Sequence, residues 1–454
     1  MGSIFTSMVS TAGAMRALQT SLTVVQNNIV NASTVGYARQ EVSLVANPFN
    51  PSSGSTSGGV SPGPPASTRN PFVEAAVWKT QNRAGYSGGL ATKLTELERV
   101  FPLADGSGIS GEMDRFFGSV SQWSMSPNDP VARRQILDRA GALAQTFNQT
   151  AADLGDSSAR AAAELTHTVR QVNRLTGDIM AINKQRRESL DAANDAGLDA
   201  TIHAKLEELA QYINFTALPQ EDGSVSVFLA GQTPAVIGDR QWPISLTNSN
   251  GEFQVLDSEG VDITGRLQQG KLGAILEYRN ELLPAYVDRL NTLASGFADQ
   301  VNGVLNNGID VNGDVPVRNL FTYDATIGAA ATMGITGITG AELAAAAVGD
   351  PGGNTNALDL ADLQNNVMFG GLTPSQYLAE LTGDIGNRLN AERSSESLQG
   401  QLLMQAQSVR EEVSGVDINM EATKLLQLQK GFQAAGQVMS VLNSLTETLI
   451  NLIR

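Results

Sequence analysis

Ile4, Met8, Thr11, Met15, Leu18, Leu22, Val25 and Ile29 advance along the chain by alternating steps of four and three. That spacing holds them on one side of a helix as a heptad seam. The other side is Ser, Thr, Gln, Asn, Ala and Gly, and Arg16 is the one charge before Arg39. The chain closes on the same pattern: Leu425, Leu428, Phe432, Ala435, Met439, Leu442, Leu445 or Thr446, Leu449 and Ile453, with Glu447 the one charge between Gly431 and Ile453. Solvated helices carry Glu and Lys on their outer face, so two such charge-poor helices are predicted to be covered. They either close on each other as a hairpin or also pack against other copies of the chain, and the pattern alone leaves both open.

Between the two ends the pattern changes several times. Residues 47–71, "NPFNPSSGSTSGGVSPGPPASTRNP", are dense in Pro, Gly and Ser and predict an extended linker. Helical spacing then dominates to about Phe215, broken at "FPLADGSGISG" and at "MSPNDPVARRQIL", where Asp129 and Pro130 form a helix start. Val169, Val172, Leu175, Ile179 and Ile182 mark a long helix with charges on its other faces. From 216 to 268, Asp222-Gly223 and Asn250-Gly251 sit between alternating apolar runs, which predicts hairpins in a small β-rich domain. Helix resumes along Leu272, Ile275, Leu276, Leu283, Val287, Leu290, Leu293 and Phe297, with a bend expected at Pro284. Residues 308–371 predict loops and short strands, as part of an outer domain, and helix returns at Ser375 with interruptions expected near Gly383, Gly386 and Gly415.

The resulting fold class is mainly α: an elongated helical bundle with N- and C-terminal helices paired as a coiled coil, plus a small β-rich insertion domain. Its parts are 1–46 with 405–454 as an axial coiled coil, 47–71 as linker, 72–215 with 269–307 and 372–404 as the bundle, 216–268 as the β domain, and 308–371 as the loop-rich segment.

Composition narrows the function. At 454 residues with a net charge of −16, the chain lacks the basic surface that phosphate binding needs, so no nucleic-acid partner is expected. No apolar run is long enough to span a bilayer, so no membrane partner is expected either, and the opening residues do not read as a cleaved secretory signal. The chain has no Cys, which excludes disulfides and thiolate metal sites. His167 and His203 stand alone without metal spacing. Phosphate loop, dinucleotide fingerprint and serine-hydrolase elbow are all missing. "DVNGD" at 310–314 starts like a calcium loop, but Val315 and Phe321 occupy the positions of its Gly and Glu, so a turn is expected. Neither a cofactor nor an enzymatic activity is expected.

With both ends read, the chain resembles the axial proteins of the bacterial flagellum. "ALQTSLTVVQNNIVNASTVGYARQ", Ala17 to Gln40, is similar to that family's N-terminal signature, a heptad helix leading into Asn-Asn-x-x-Asn-x-x-Thr-x-Gly-aromatic. Ser414 to Leu452 is similar to its closing segment, and residues 270–313 and "NDPVARRQIL" add two further matches. Hook and rod proteins place Phe and a basic residue after the Gly. Gly36-Tyr37-Ala38-Arg39-Gln40 is closer to hook-associated members. The family often has Arg-x-x-Asp-x-Phe after the linker, where this chain has Arg69-Asn70-Pro71-Phe72.

The resemblance implies a structural adaptor between hook and filament, extracellular on the flagellum and exported without a cleaved signal. It implies self-association in a helical or ring assembly. The implied partners are the hook protein, a second junction protein and through it the flagellin filament, and an export chaperone at the C-terminal helix. Assembly residues on this reading are Met15, Leu18, Leu22, Val25, Asn27, Asn28, Ile29, Asn31, Gly36, Tyr37, Arg39 and Gln40, with Leu425, Leu428, Phe432, Ala435, Met439, Leu442 and Leu449 on the closing helix. Another axial protein (hook, distal rod or filament), or a secreted hydrolase with axial-type ends, are the alternatives.

Overall fold

One helix sets the length of the body. α4, Pro130–Arg186, runs for 57 residues, about 85 Å at 1.5 Å per residue. Asp129 starts it by accepting from Val131 N at 2.9 Å, and Pro130 fills the first helical position, where no N–H is required. Its inward stripe, including Ile136, Leu143, Leu154, Leu165, Val172, Leu175 and Ile179, is fully buried. The computed structural model describes residues 2–50, 56–102, 106–188, 192 and 194–453.

The other long helices are α1 (Gly2–Asn31), α2 (Pro71–Glu98), α3 (Gly108–Met125), α5 (Ala196–Tyr212), α6 (Gly270–Glu277), α7 (Leu283–Asn306), α8 (Pro374–Ser414) and α9 (Ile418–Ile453). α2 pairs with α8, α3 with α4, and α5 and α6 close over α2. Phe116 and Phe117 from α3, Phe297 from α7 and Phe321 meet edge-on or tilted at 5.5–6.0 Å between ring centroids and fill one end of this core.

Two runs of strand interrupt the helices. β1 (Gln40–Ala46) pairs antiparallel with β4 (Val60–Ser67), and between them β2 (Phe49–Asn50) pairs with β3 (Thr56–Ser57). The Pro-rich segment is therefore extended but not a free linker. Pro62, Pro64 and Pro65 lie on β4 of a two-stranded ribbon, where every strand is an edge and a missing N–H is tolerated, and the ribbon packs on α1. The stretch 51–55 of the expected linker lies outside the described residues.

The second run is a sheet in the order β5 (Phe215–Pro219), β6 (Val225–Leu229), β7 (Thr233–Ile237), β8 (Arg240–Gln241), followed by the hairpin β9 (Ser245–Ser249) and β10 (Glu252–Leu256). Asn250 and Gly251 turn that hairpin with φ of 55° and 89°, the left-handed pair a two-residue turn requires. The fully buried amide of Asn183 pins the sheet to α4, taking Val225 N and donating to the carbonyls of Val225 and Gly238.

Several local expectations are revised. Between α6 and α7 the chain makes a π-helical turn, Tyr278–Leu282, just before Pro284. Proline offers no N–H to the carbonyl four residues earlier and its ring crowds it, and the wider turn relieves both. α8 runs unbroken through Gly383 and Gly386, where an added methyl would meet nothing within 4 Å; the chain breaks only at Gly415. Residues 308–371 are not an outlying lobe. Leu320, Phe321, Leu343, Ala357 and Leu360 are buried in the bundle core, and Asp310 folds "DVNGD" into a turn by accepting from Asn312 N and Asp314 N.

Candidate assembly site

α1 and α9 lie antiparallel against each other. Thr446 Oγ1 reaches Met8 Sδ at 3.7 Å, a methyl on Gly431 would sit 3.5 Å from Leu18 Cδ2, and Asn28 Nδ2 donates to Glu421 Oε2 at 3.1 Å. Going up one helix therefore goes down the other. Of the expected seam, Val25 is buried, while Met15, Leu18, Leu22, Ile29, Leu425, Leu428, Phe432, Ala435, Met439, Leu442 and Leu449 are only half-buried. Thr446, rather than Leu445, takes the inward position, and Leu445 is 47% exposed.

A hairpin of two helices covers one stripe of each, and here a second stripe remains outside. On α9, Val438, Val441 and Leu445 are exposed; on α1, Phe5, Val9 and Val30 are. Single exposed apolar residues are ordinary, but these recur at helical spacing on a nearly uncharged surface.

The hairpin is tied off by Asn28, which is fully buried. Its Oδ1 accepts from Tyr37 Oη and Gln40 N, both at 2.9 Å, and its Nδ2 donates to Gln40 O at 2.9 Å as well as to Glu421. One amide thus joins α1, the strand that leaves it and the start of α9. Burial and the neighbouring Glu421 carboxylate push the Tyr37 hydroxyl up to about 12, so it stays a donor. Gln40 is buried and turns its amide onto Ala38 O. Arg39 pairs with Glu41, and its N–H donates to Ser414 O at 2.8 Å. Asn27 and Asn31 instead bond to each other on the surface of α1. Asn28 and Gln40 therefore bond within the chain, whereas Asn27 is exposed.

Gly36 lies beyond the end of α1 at Asn31 and forms the third residue of a turn closed by Tyr37 N to Thr34 O. Its φ is +78°, and a Cβ there would lie 2.4 Å from Ala200 O on α5, so only glycine lets this turn rest on the bundle. Its carbonyl is held by Arg69.

Arg69 is the second tie. Its side chain is 9% exposed and reaches three segments: Nη2 to Gly36 O at 2.6 Å, Nη1 to Glu74 at 2.6 Å on α2, and Nε and Nη2 to Asp199 at 3.1 and 3.0 Å on α5. Asp199 also meets Arg186 and His203, and Arg410 of α8 bonds Glu207 at 2.6 Å. The cations Arg69, Arg186 and Arg410 thus face the anions Glu74, Asp199 and Glu207. Burial alone would raise Asp199; the charges of His203, Arg69 and Arg186 overcome it and hold the carboxyl below its usual range. Beside this network lies a cavity of about 480 Å³ whose lining includes Trp78, Asn82, His203, Leu206, Phe215 and Val225. Sequence reading missed the whole cluster. Its signals were Arg69 directly before the Asn70-Pro71 helix start, and His203 four residues after Asp199.

The comparisons with known proteins now decide between the axial proteins. The family model for the flagellar hook-associated protein FlgK helical domain matches residues 94–321, half of the chain. The chain belongs to the flagellar hook-associated protein FlgK family. A second model, the flagellar basal body rod FlgEFG protein C-terminal domain, matches residues 407–452. Flagellar hook-associated protein 1 of Bacillus subtilis is 26% identical over 502 residues, covering 99% of each chain. Its counterparts from Salmonella typhimurium and Escherichia coli are 23% and 21% identical, with 96% of this chain and 98% of theirs covered. The solved flagellar hook junction protein FlgK from Burkholderia pseudomallei has the same fold, with a TM-score of 0.67 at 16% identity over 75% of this chain and all of that one.

The two family matches fall on the bundle and on α9, while Asn28, Gly36 and Arg69 lie outside both. The chain is accordingly a structural component of the bacterial flagellum. Among the described residues no group of His, Cys, Asp or Glu is arranged to hold a metal, and no helix is long and apolar enough to cross a membrane.

Proposed function

We propose that the chain is the adaptor between hook and filament, built into the flagellum by packing of α1 and α9 against neighbouring copies and working without catalysis. The observation that carries this reading is the uncovered stripe of Val438, Val441 and Leu445 beside a half-buried seam. Burying apolar surface is worth roughly 25 cal/mol per Å², and neighbouring copies supply the surface that the lone hairpin lacks. Nearly uncharged helices approach one another without repulsion or charge desolvation.

On this reading the assembly residues are the half-buried Met15, Leu18, Leu22, Ile29, Leu425, Leu428, Phe432, Ala435, Met439, Leu442 and Leu449, together with surface Asn27 and Asn31. Val25, Asn28, Gly36, Tyr37, Arg39 and Gln40 shape the chain that presents them. The partners are the hook protein on one side, a second junction protein and through it the flagellin filament on the other, and an export chaperone that covers the C-terminal helix before assembly; the protein resides outside the cell. Electron microscopy of a strain lacking the gene tests the proposal. Hooks without filaments are expected, and normal filaments would overturn it.

A further inference from the structure

The two ties differ in what they join. Asn28 holds the axial hairpin together, whereas Arg69 fastens that hairpin to the bundle: the carbonyl it grips belongs to the turn leaving α1, and both carboxylates it grips belong to bundle helices. Gly36 rests on the backbone of α5 directly under the grip. On the return path Thr68, the residue before Arg69, donates through its N–H and hydroxyl to Arg39 O at 2.9 and 3.0 Å. The outgoing and returning chains are thus closed into a loop around the guanidinium.

We propose that Arg69 is the positioning residue that locks the elbow between axial hairpin and bundle, so that the chain carries load as a rigid strut rather than a hinged one. A guanidinium presents five donors in a fixed fork and can serve three segments at once; an ammonium is a point charge on a flexible stem and cannot. The grip is largely buried, with the side chains of Arg69 and Glu74 at 9% and 2% exposure, along one wall of the cavity. The neighbouring Arg410, which pairs with Glu207 at 2.6 Å and Glu74 at 4.0 Å, cannot replace it, because it joins α8 to α5 and α2 and bonds neither Gly36 nor the ribbon. The lock is a property of the single chain; only its mechanical use rests on the junction reading.

The chain has no cysteine, so paired spin labels can be placed cleanly at Gln26→Cys on α1 and Ala159→Cys on α4, both exposed. In the full-length protein the label-to-label distance measured by pulsed electron resonance is expected to be narrow. Arg69→Lys keeps the charge and is expected to broaden that distribution while the circular dichroism and melting temperature of the bundle hold. Gly36→Ala, which leaves every charge in place and pushes the turn off α5, is expected to broaden it too. If Arg69→Lys lowers the melting temperature, the Gly36→Ala result alone decides. An unchanged narrow distribution in the folded variants overturns the lock. In cells, Arg69→Lys is expected to give filaments that are shed under shear. Shear-resistant filaments on a broadened elbow overturn the strut, and leave the junction reading to the gene-deletion result.

Discussion

α4 and α9 are both long helices with an apolar stripe, yet they are finished differently. The stripe of α4 is covered on every side, with Leu165, Val172, Leu175 and Ile179 at 0% exposure. α9 has no fully buried apolar side chain among its described residues, and Val441 and Ile450 are more than half exposed. The charges differ in the opposite sense: α4 carries Arg170, Arg174, Asp178 and Lys184 on its outer face, while α9 beyond Lys430 carries only Glu447. A helix with a completed core advertises its solvent face by charge. On the assembly reading, a helix with an incomplete core and almost no charges is completed by other copies of the chain.

The most severe way to test that contrast is removal. Deleting residues 430–454 leaves α2 to α8 and the Asn28–Glu421 tie in place, so the bundle's melting transition is expected to persist while filaments are lost entirely. Loss of the bundle transition would mean that the axial hairpin belongs to the core after all.

A paired substitution sharpens the comparison. Phe297→Ala opens the four-ring cluster and is expected to destabilise the monomer by about 3–5 kcal/mol, measured by urea unfolding. Phe432→Ala, half-buried on α9, is expected to remove about 1 kcal/mol, since full burial of such a ring is worth about 1.5–3 kcal/mol. Its larger consequence is expected in incorporation, read by immunogold labelling of isolated flagella. Equal losses in the monomer would erase the distinction between the two regions.

A more local effect is expected where the hairpin is tied. Asn28→Ala removes the partner of Gln40 N, Tyr37 Oη and Glu421 Oε2, and an orphaned buried polar group costs about 1–3 kcal/mol. Hydrogen exchange is expected to accelerate at the C-terminal end of α1 and the start of α9 and to be unchanged in α4. Acceleration throughout the bundle would show that the regions are not separable.

How much of this was legible depended on range. The heptads, the Asp129-Pro130 start and the Asn250-Gly251 turn are local, because period, cap and turn chemistry are encoded within a few residues. Class and family followed from the two ends. The ribbon was not legible: Pro62, Pro64 and Pro65 argue against strand unless it is known that β4 has one neighbour and a free edge. Nor was the Arg69 network, whose members are separated by up to hundreds of positions and meet only because α2, α5 and α8 converge. The role of Asn28 lay between these cases. The Asn-rich phrase stood out, but which of Asn27, Asn28 and Asn31 faces inward is fixed by the crossing of α9, and only Asn28 does.

The gentlest test of the two regions is acid, because the buried titrating pair His203 and Asp199 sits at the elbow. His203 is held below its ordinary 6.5, first by burial and then by Arg69, against the opposing pull of Asp199 and Glu74. Folding therefore favours the neutral ring. Its contribution is present above about 6.5 and declines as pH falls, because the unfolded chain takes up a proton that the folded one resists. Asp199, also held low, retains its contribution further and loses it only as pH falls through its own depressed value. On going from pH 7 to 5 the elbow is expected to loosen slightly, seen as faster exchange around Gly36 and α5, while the Phe116–Phe297 core and the Val441 stripe, which hold no titrating groups, do not respond. His203→Gln is expected to abolish that step and leave the response below pH 4 intact. An unchanged step in His203→Gln would assign the acid response to the carboxylates alone.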